Sequence, residues 1–214
     1  MFAVFFFGAL FLERVLGYGP LQTGVAFLPM TLVMAAMSLG LTSRLLLRYG
    51  PMKLLVPGMS AVVLGLLLLT RTSEHAGYLT SILPAFVLLG VGMSVSAVPL
   101  LTIAMADVPR ADAGLASGIV NVSMWLASSA ALAVFGTLAA SRSNSLMAQG
   151  QNVASSLTAG YHETFLIGAV LAMLGLLITV IVLWAPAREV VRSQSESLDR
   201  AGDLERLEVM AGEF

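Results

Sequence analysis

Six apolar runs separated by short polar connections dominate this sequence, and none carries a charged side chain near its middle. A helix crossing about 30 Å of hydrocarbon at 1.5 Å per residue needs about 20 such residues, and it satisfies its own backbone polar groups where water is absent. The pattern therefore predicts an all-α, polytopic membrane protein built as a six-helix bundle. Composition agrees. Of 214 residues, 58% are hydrophobic and 11% charged, against about 25% charged in an average soluble domain. A net charge of −1 offers no basic surplus for nucleic acid, and the lack of cysteine leaves neither disulfides nor thiolate metal ligands.

The first run, Met1 to about Leu16, is apolar only as far as Leu12 before Glu13 and Arg14 interrupt it, so it reads as a helix lacking its beginning. A cleaved signal peptide is the alternative, although no basic region precedes the run and no small-residue cleavage site ends it. Gly17, Gly19 and Pro20 break this helix and start a second, expected over about Gly24 to Leu47. The third is expected from about Lys53 to Thr70, the fourth from Leu79 to Ala106 and the fifth from Gly114 to Ala140. A stretch rich in Ser, Asn and Gln, from Ser141 to His162, reads as a connection to the sixth, about Glu163 to Trp184, closed by Pro186. Residues 1–185 thus form the transmembrane bundle, and 186–214 a polar cytoplasmic tail with one short surface helix around Leu204 and Leu207.

Orientation follows from the basic residues, because Lys and Arg near short loops favour the cytoplasmic side. Three of the eleven lie in the stretch 40–53, as Arg44, Arg48 and Lys53. With that stretch inside, the inner connections and tail hold these three with Arg110, Arg188, Arg192, Arg200 and Arg206, while the outer side holds Arg14, Arg71 and Arg142. The carboxyl terminus is then cytoplasmic. PLQTGVA at Pro20 and PRADAGLA at Pro109 join the first two helices of each half on opposite faces, as an inverted repeat requires, although short Pro-to-Gly turns also arise independently.

No H-E-x-x-H, P-loop, Cys or His cluster, or intramembrane acid pair occurs, so the chain does not read as an enzyme and no cofactor or metal is implied. His75 and His162 read as interfacial histidines with satisfied hydrogen bonds. Met30, Met34 and Met37 share one helical face, which suits either an adaptable substrate cavity or an ordinary core. Met93, Ser94, Asn121, Met124 and Trp125 form a second candidate lining. Asn121 opens an Asn-Val-Ser triplet, yet inside a span it reads as a polar group facing a cavity or another helix rather than a glycan acceptor. Glu13, a carboxylate inside the first helix, is a possible proton or cation site and equally an interfacial acid. Small residues spaced for close helix contact include Gly58 with Ala61 and Gly65, Gly114 with Gly118, Gly136 with Ala140, and Gly168 with Ala172.

Three stretches carry a family resemblance: FGALFLERVLGYGPLQTGVAFLPM, then SRLLLRYGPMKLLVPG, then DVPRADAGLASGIVNVSMWL through AVFGTLA. In that order they resemble the carboxyl-terminal half of fourteen-helix drug:proton antiporters of the major facilitator superfamily, over roughly residues 1 to 185. The resemblance implies one of two pseudo-symmetric bundles around a substrate cavity, with helices one, two, four and five lining it and three and six outside. Arg44, Arg48, Gly50 and Lys53 would form an inner gating loop, in which Leu47 replaces an acid of the family pattern. Met124 and Trp125 replace a commonly polar pair, and Glu13 stands where Gln is more usual.

The chain therefore reads as part of a proton-coupled efflux transporter in the plasma membrane. Its partners would be the lipid bilayer, a small amphipathic substrate, protons and an amino-terminal bundle missing from this chain. The alternatives are a non-transporting membrane scaffold or assembly subunit acting through its packing and tail, and a half-transporter that assembles with itself.

Overall fold

The computed structural model describes residues 2–72, 77–105 and 108–181, which contain helices and no strand. His75, Asp107, Trp184 and the 186–214 tail lie outside the described residues. Six helices run in order: α1 (Phe2–Arg14), α2 (Pro20–Tyr49), α3 (Pro51–Leu69), α4 (Tyr78–Ala104), α5 (Ala113–Ala148) and α6 (Val153–Ile181). Four of them, α2, α4, α5 and α6, are long and apolar enough to cross a bilayer. Everything through Leu176 forms one compact unit, and beyond it the described residues are the end of α6.

The glycines and prolines delimit the helices as their chemistry requires. After α1, Gly17 takes φ +70 and Pro20 occupies the first turn of α2, where its missing N–H costs nothing. The Gly19 N–H donates to Gln22 Oε1 at 3.1 Å, closing that terminus. α2 passes through a π turn at Met37–Leu41, where Gly40 adopts φ 121, so the helix bends there. The basic stretch expected as a loop is largely helical. Arg44 and Arg48 ride the last turns of α2, Gly50 alone makes the turn at φ +79, and Lys53 belongs to the first turn of α3.

A larger correction concerns residues 141–162. α5 continues to Ala148, the turn is only 149–152 with Gly150 at φ +83, and Asn152 starts α6 by accepting from the Ala154 N–H at 3.3 Å. Ser, Asn and Gln cost a helix only about 0.5 kcal/mol each, so their density does not break one. Here the small polar residues serve packing instead. Gly160 lies so close to α5 that a Cβ there would meet the Ala139 carbonyl oxygen at 2.6 Å and overlap the Ser143 hydroxyl.

Further close contacts surround α4. A Cβ on Gly92 would fall 2.7 Å from both the Gly58 carbonyl oxygen and the Val62 nitrogen of α3. One on Gly65 would fall 2.7 Å from Leu89, and one on Gly90 would fall 2.8 Å from the Met30 carbonyl oxygen of α2. Backbones approach this closely only where no side chain intervenes. Around these contacts Phe7, Phe11, Leu12, Met30, Phe86 and Leu89 are buried, with Phe27 stacked on Phe86 at 4.8 Å. The expected small-residue pairing holds for Gly58 with Gly65. Gly114 and Gly118 meet nothing within 4 Å, because most of α5 between residues 114 and 134 faces outward; half-buried Gly136 likewise has no neighbour in that range.

One end of the bundle is tied by polar groups. His162, expected in a connection, lies within α6, and its Nε2 is 2.6 Å from the Thr72 carbonyl oxygen just beyond α3. A carbonyl only accepts, so Nε2 carries the hydrogen. Phe11 of α1 stacks on the same ring at 6.4 Å and 26°. The Tyr78 hydroxyl of α4 donates to the Ala26 carbonyl of α2 at 2.6 Å, and exposed Arg142 reaches Glu163 at 3.5 Å.

Gly92→Ala is expected to lower the thermal midpoint in detergent, at an overpacking cost of about 1–3 kcal/mol, whereas Gly118→Ala leaves it unchanged or raises it. Circular dichroism of the two variants side by side measures the difference. His162→Phe keeps the ring but strands the buried Thr72 carbonyl, an expected loss of about 1–3 kcal/mol. Arg142→Ala breaks only an exposed pair and is expected to cost below about 1 kcal/mol in the same melts.

Candidate functional site

The candidate residues separate into three environments. On α2, Met30 is fully buried in the main core, Met34 packs against that core partly exposed, and Met37 is buried against Leu54 of α3 and Val95 of α4. This methionine face is thus occupied by α3 and α4. On α4, Ser94 is buried with its hydroxyl unpartnered, and Met93 turns into a cavity of about 330 Å³.

That cavity takes Phe2 and Phe7 from α1, Val62 and Leu66 from α3, and Met93 from α4. The opposite wall is the 127–135 segment of α5 and the 164–172 segment of α6. At its edge the Phe2 and Trp125 rings lie 5.0 Å apart at 46°.

The third environment is the open face of α5. Asn121, Met124 and Trp125 are all exposed there, amid Leu115, Ile119, Val122 and Leu126. One amide among large apolar side chains can hydrogen-bond a polar group of a ligand, while the indole and thioether contact its apolar body. Trp125 joins this face to the cavity edge through Phe2. The fold does not gather all eight candidates into one pocket.

The charged candidates lie apart from these. Glu13 is exposed at the end of α1, and Arg44, Arg48 and Lys53 are exposed around the Gly50 turn. The Arg48 guanidinium sits 5.5 Å from the Tyr49 ring centroid. Arg48 also lies in the last turn of α2, where a cation complements the partial negative charge of the carbonyl end.

Sequence reasoning missed the aromatic walls of the cavity and the His162 tie. Phe135 and Phe165 gave no sign of a cavity, because an apolar residue in an apolar run carries no information about its facing. A signal for the position of His162 did exist: Tyr161, Phe165 and Ala169 recur every fourth residue, and all are buried.

The family model described as Major Facilitator Superfamily matches residues 1–133. The puromycin resistance protein pur8 of Streptomyces alboniger is 30% identical over 204 residues, covering 94% of this chain and 40% of that protein. The cephamycin export protein CmcT of Amycolatopsis lactamdurans is 30% identical over 185 residues, 86% of this chain and 36% of its own length. The multidrug resistance protein Stp of Mycobacterium tuberculosis is 34% identical over 130 residues, 61% of this chain and 24% of its own. The chain thus spans 40% or less of the length of these curated relatives. With the family model covering more than half of it and 30% identity extending over nearly all of it, this chain belongs to the Major Facilitator Superfamily.

Proposed function

We propose that this chain is the carboxyl-terminal six-helix bundle of a proton-coupled exporter of small amphipathic molecules, of the fourteen-helix drug:proton antiporter type. It acts as a transporter, not an enzyme. The observation that carries the reading is the open face of α5, where Asn121, Met124 and Trp125 are exposed among the described residues, with Phe2 of α1 beside Trp125. Relatives named for drug resistance and export align along most of the chain, which supports the same reading.

In this mechanism a second bundle packs opposite α1, α2, α4 and α5, and the two rock around a substrate held between them. Trp125 and Met124 contact the apolar body of the substrate, and Asn121 bonds its polar group. Met30, Met34, Met37, Met93 and Ser94 belong to α2 and α4, two of the helices that face the second bundle in this reading. Arg44, Arg48, Gly50 and Lys53 form the inner turn between α2 and α3, and exposed Glu13 is a proton or cation site at the opposite end. The membrane is the plasma membrane, and the carboxyl terminus is cytoplasmic.

Puromycin efflux from cells expressing the whole transporter tests the site. Trp125→Ala removes a stacking contact of about 0.5–1.5 kcal/mol, and its effect is expected near tenfold on export of aromatic substrates, with a smaller loss for Asn121→Ala. Unchanged export of every substrate tried would sink the assignment. The lack of cysteine within these 214 residues also lets topology be read once any cysteine elsewhere in the transporter is replaced by serine. Ser43→Cys is expected to react with an impermeant maleimide only in inverted vesicles, and Gln149→Cys only in intact cells.

A further inference from the structure

The cavity inside the bundle has a chemistry of its own. Its walls come from α1, α3, α4, α5 and α6, so it reaches the two helices that the transport reading places on the outside, and no residue of α2 lines it. Phe2, Phe7, Phe135 and Phe165 supply four aromatic rings, Met93 supplies a thioether, and no charged side chain is present. Two hydroxyls lie in the wall. Ser128 already donates to the Met124 carbonyl at 2.7 Å, and Thr164 to the Gly160 carbonyl at 3.1 Å, each within its own helix. The wall therefore offers no uncommitted O–H donor.

We propose that this cavity binds a compact, uncharged aromatic molecule, at a site within the bundle and separate from the open face of α5. An ionised ligand would lose its hydration with no countercharge to replace it, and a strongly polar one would leave groups unpaired. At about 330 Å³ the space lies at the small end of ligand pockets. A lipid acyl chain gains little there, because it leaves equally apolar neighbours in the bilayer and loses rotamer freedom on confinement. A rigid aromatic gains tilted and edge-on ring contacts and a sulfur contact that bilayer lipid does not offer. The rings are held in place: Phe7 packs 6.4 Å from both Phe135 and Tyr161, and Phe7, Phe135 and Phe165 are buried.

Binding here is independent of export, so it is measured on the purified whole transporter in nanodiscs, with any tryptophan outside these 214 residues replaced by phenylalanine. Trp184→Phe leaves Trp125, at the cavity edge, as the sole tryptophan. The probe is N-phenyl-1-naphthylamine, an uncharged aromatic excited by energy transfer from that indole. Saturable transfer is expected in this background. A Cβ on Gly168 would meet only the Leu66 methyls, at 3.8 and 4.0 Å, so Gly168→Val is expected to fold and its methyls to narrow the cavity. It is expected to raise the half-saturation concentration tenfold or more at an unchanged melting temperature. Ala133→Leu, on the open outer groove of α5, leaves it unchanged. If Gly168→Val fails to fold, Ala172→Leu fills the cavity from the next turn of α6. Transfer that never saturates, equal affinity in the filled variant, or an equal loss in Ala133→Leu overturns the proposal. So does native mass spectrometry showing a phospholipid retained one-to-one and lost on filling the cavity.

Discussion

The bundle depends on backbone meeting backbone at glycine. In lipid there is no hydrophobic gain from bringing two apolar helices together, so dispersion at short range and local polar contacts must hold them. Gly58, Gly65 and Gly92 let α3 and α4 approach until a β-carbon would strike a carbonyl oxygen or a buried side chain, and Gly90 does the same between α4 and α2. With α4 gripped on two sides, Phe86 and Leu89 are carried into the centre, where α1 and the start of α2 pack over them.

The remaining helices are held differently, and the contrast bears on function. At one end the Thr72 carbonyl, His162 and Phe11 bring the end of α3, α6 and α1 to a single point, while Tyr78 fastens α4 to α2. α5 touches the bundle mainly through its second half, where Phe135, Ala139, Ser143 and Leu146 are buried. Its first half presents apolar side chains and one amide to the outside. One half of this helix is anchored and the other open, and three of the eight candidate residues, Asn121, Met124 and Trp125, lie on the open half.

Much of this architecture is legible in the residues. The turns at Gly17 to Pro20 and at Gly50 lie where glycine conformational freedom and proline geometry require them, and the glycine pair of α3 makes its contact. The stretch 141–162 misleads because its serines look like a loop, whereas small polar side chains are what a close α5 to α6 crossing needs. The methionine face of α2 was open to two readings, and the packing of Met30 and Met37 on α4 is that of a core. Gly114 and Gly118 have the spacing of a contact and no neighbour, since a row of small residues permits close approach without supplying a partner.

By itself the sequence determined that the chain is helical, that it lives in lipid and where most of its helices turn. Those properties follow from local chemistry: backbone groups need partners away from water, and glycine and proline restrict or free φ wherever they occur. Which face of each helix looks inward was decided only by tertiary structure. In a run that is apolar all round, burial in protein and burial in lipid cost nearly the same, so facing is set by shape complementarity between helices distant in sequence. That is why Phe135 walls a cavity and Trp125 stands outside, although nothing beside these residues in the chain distinguishes them.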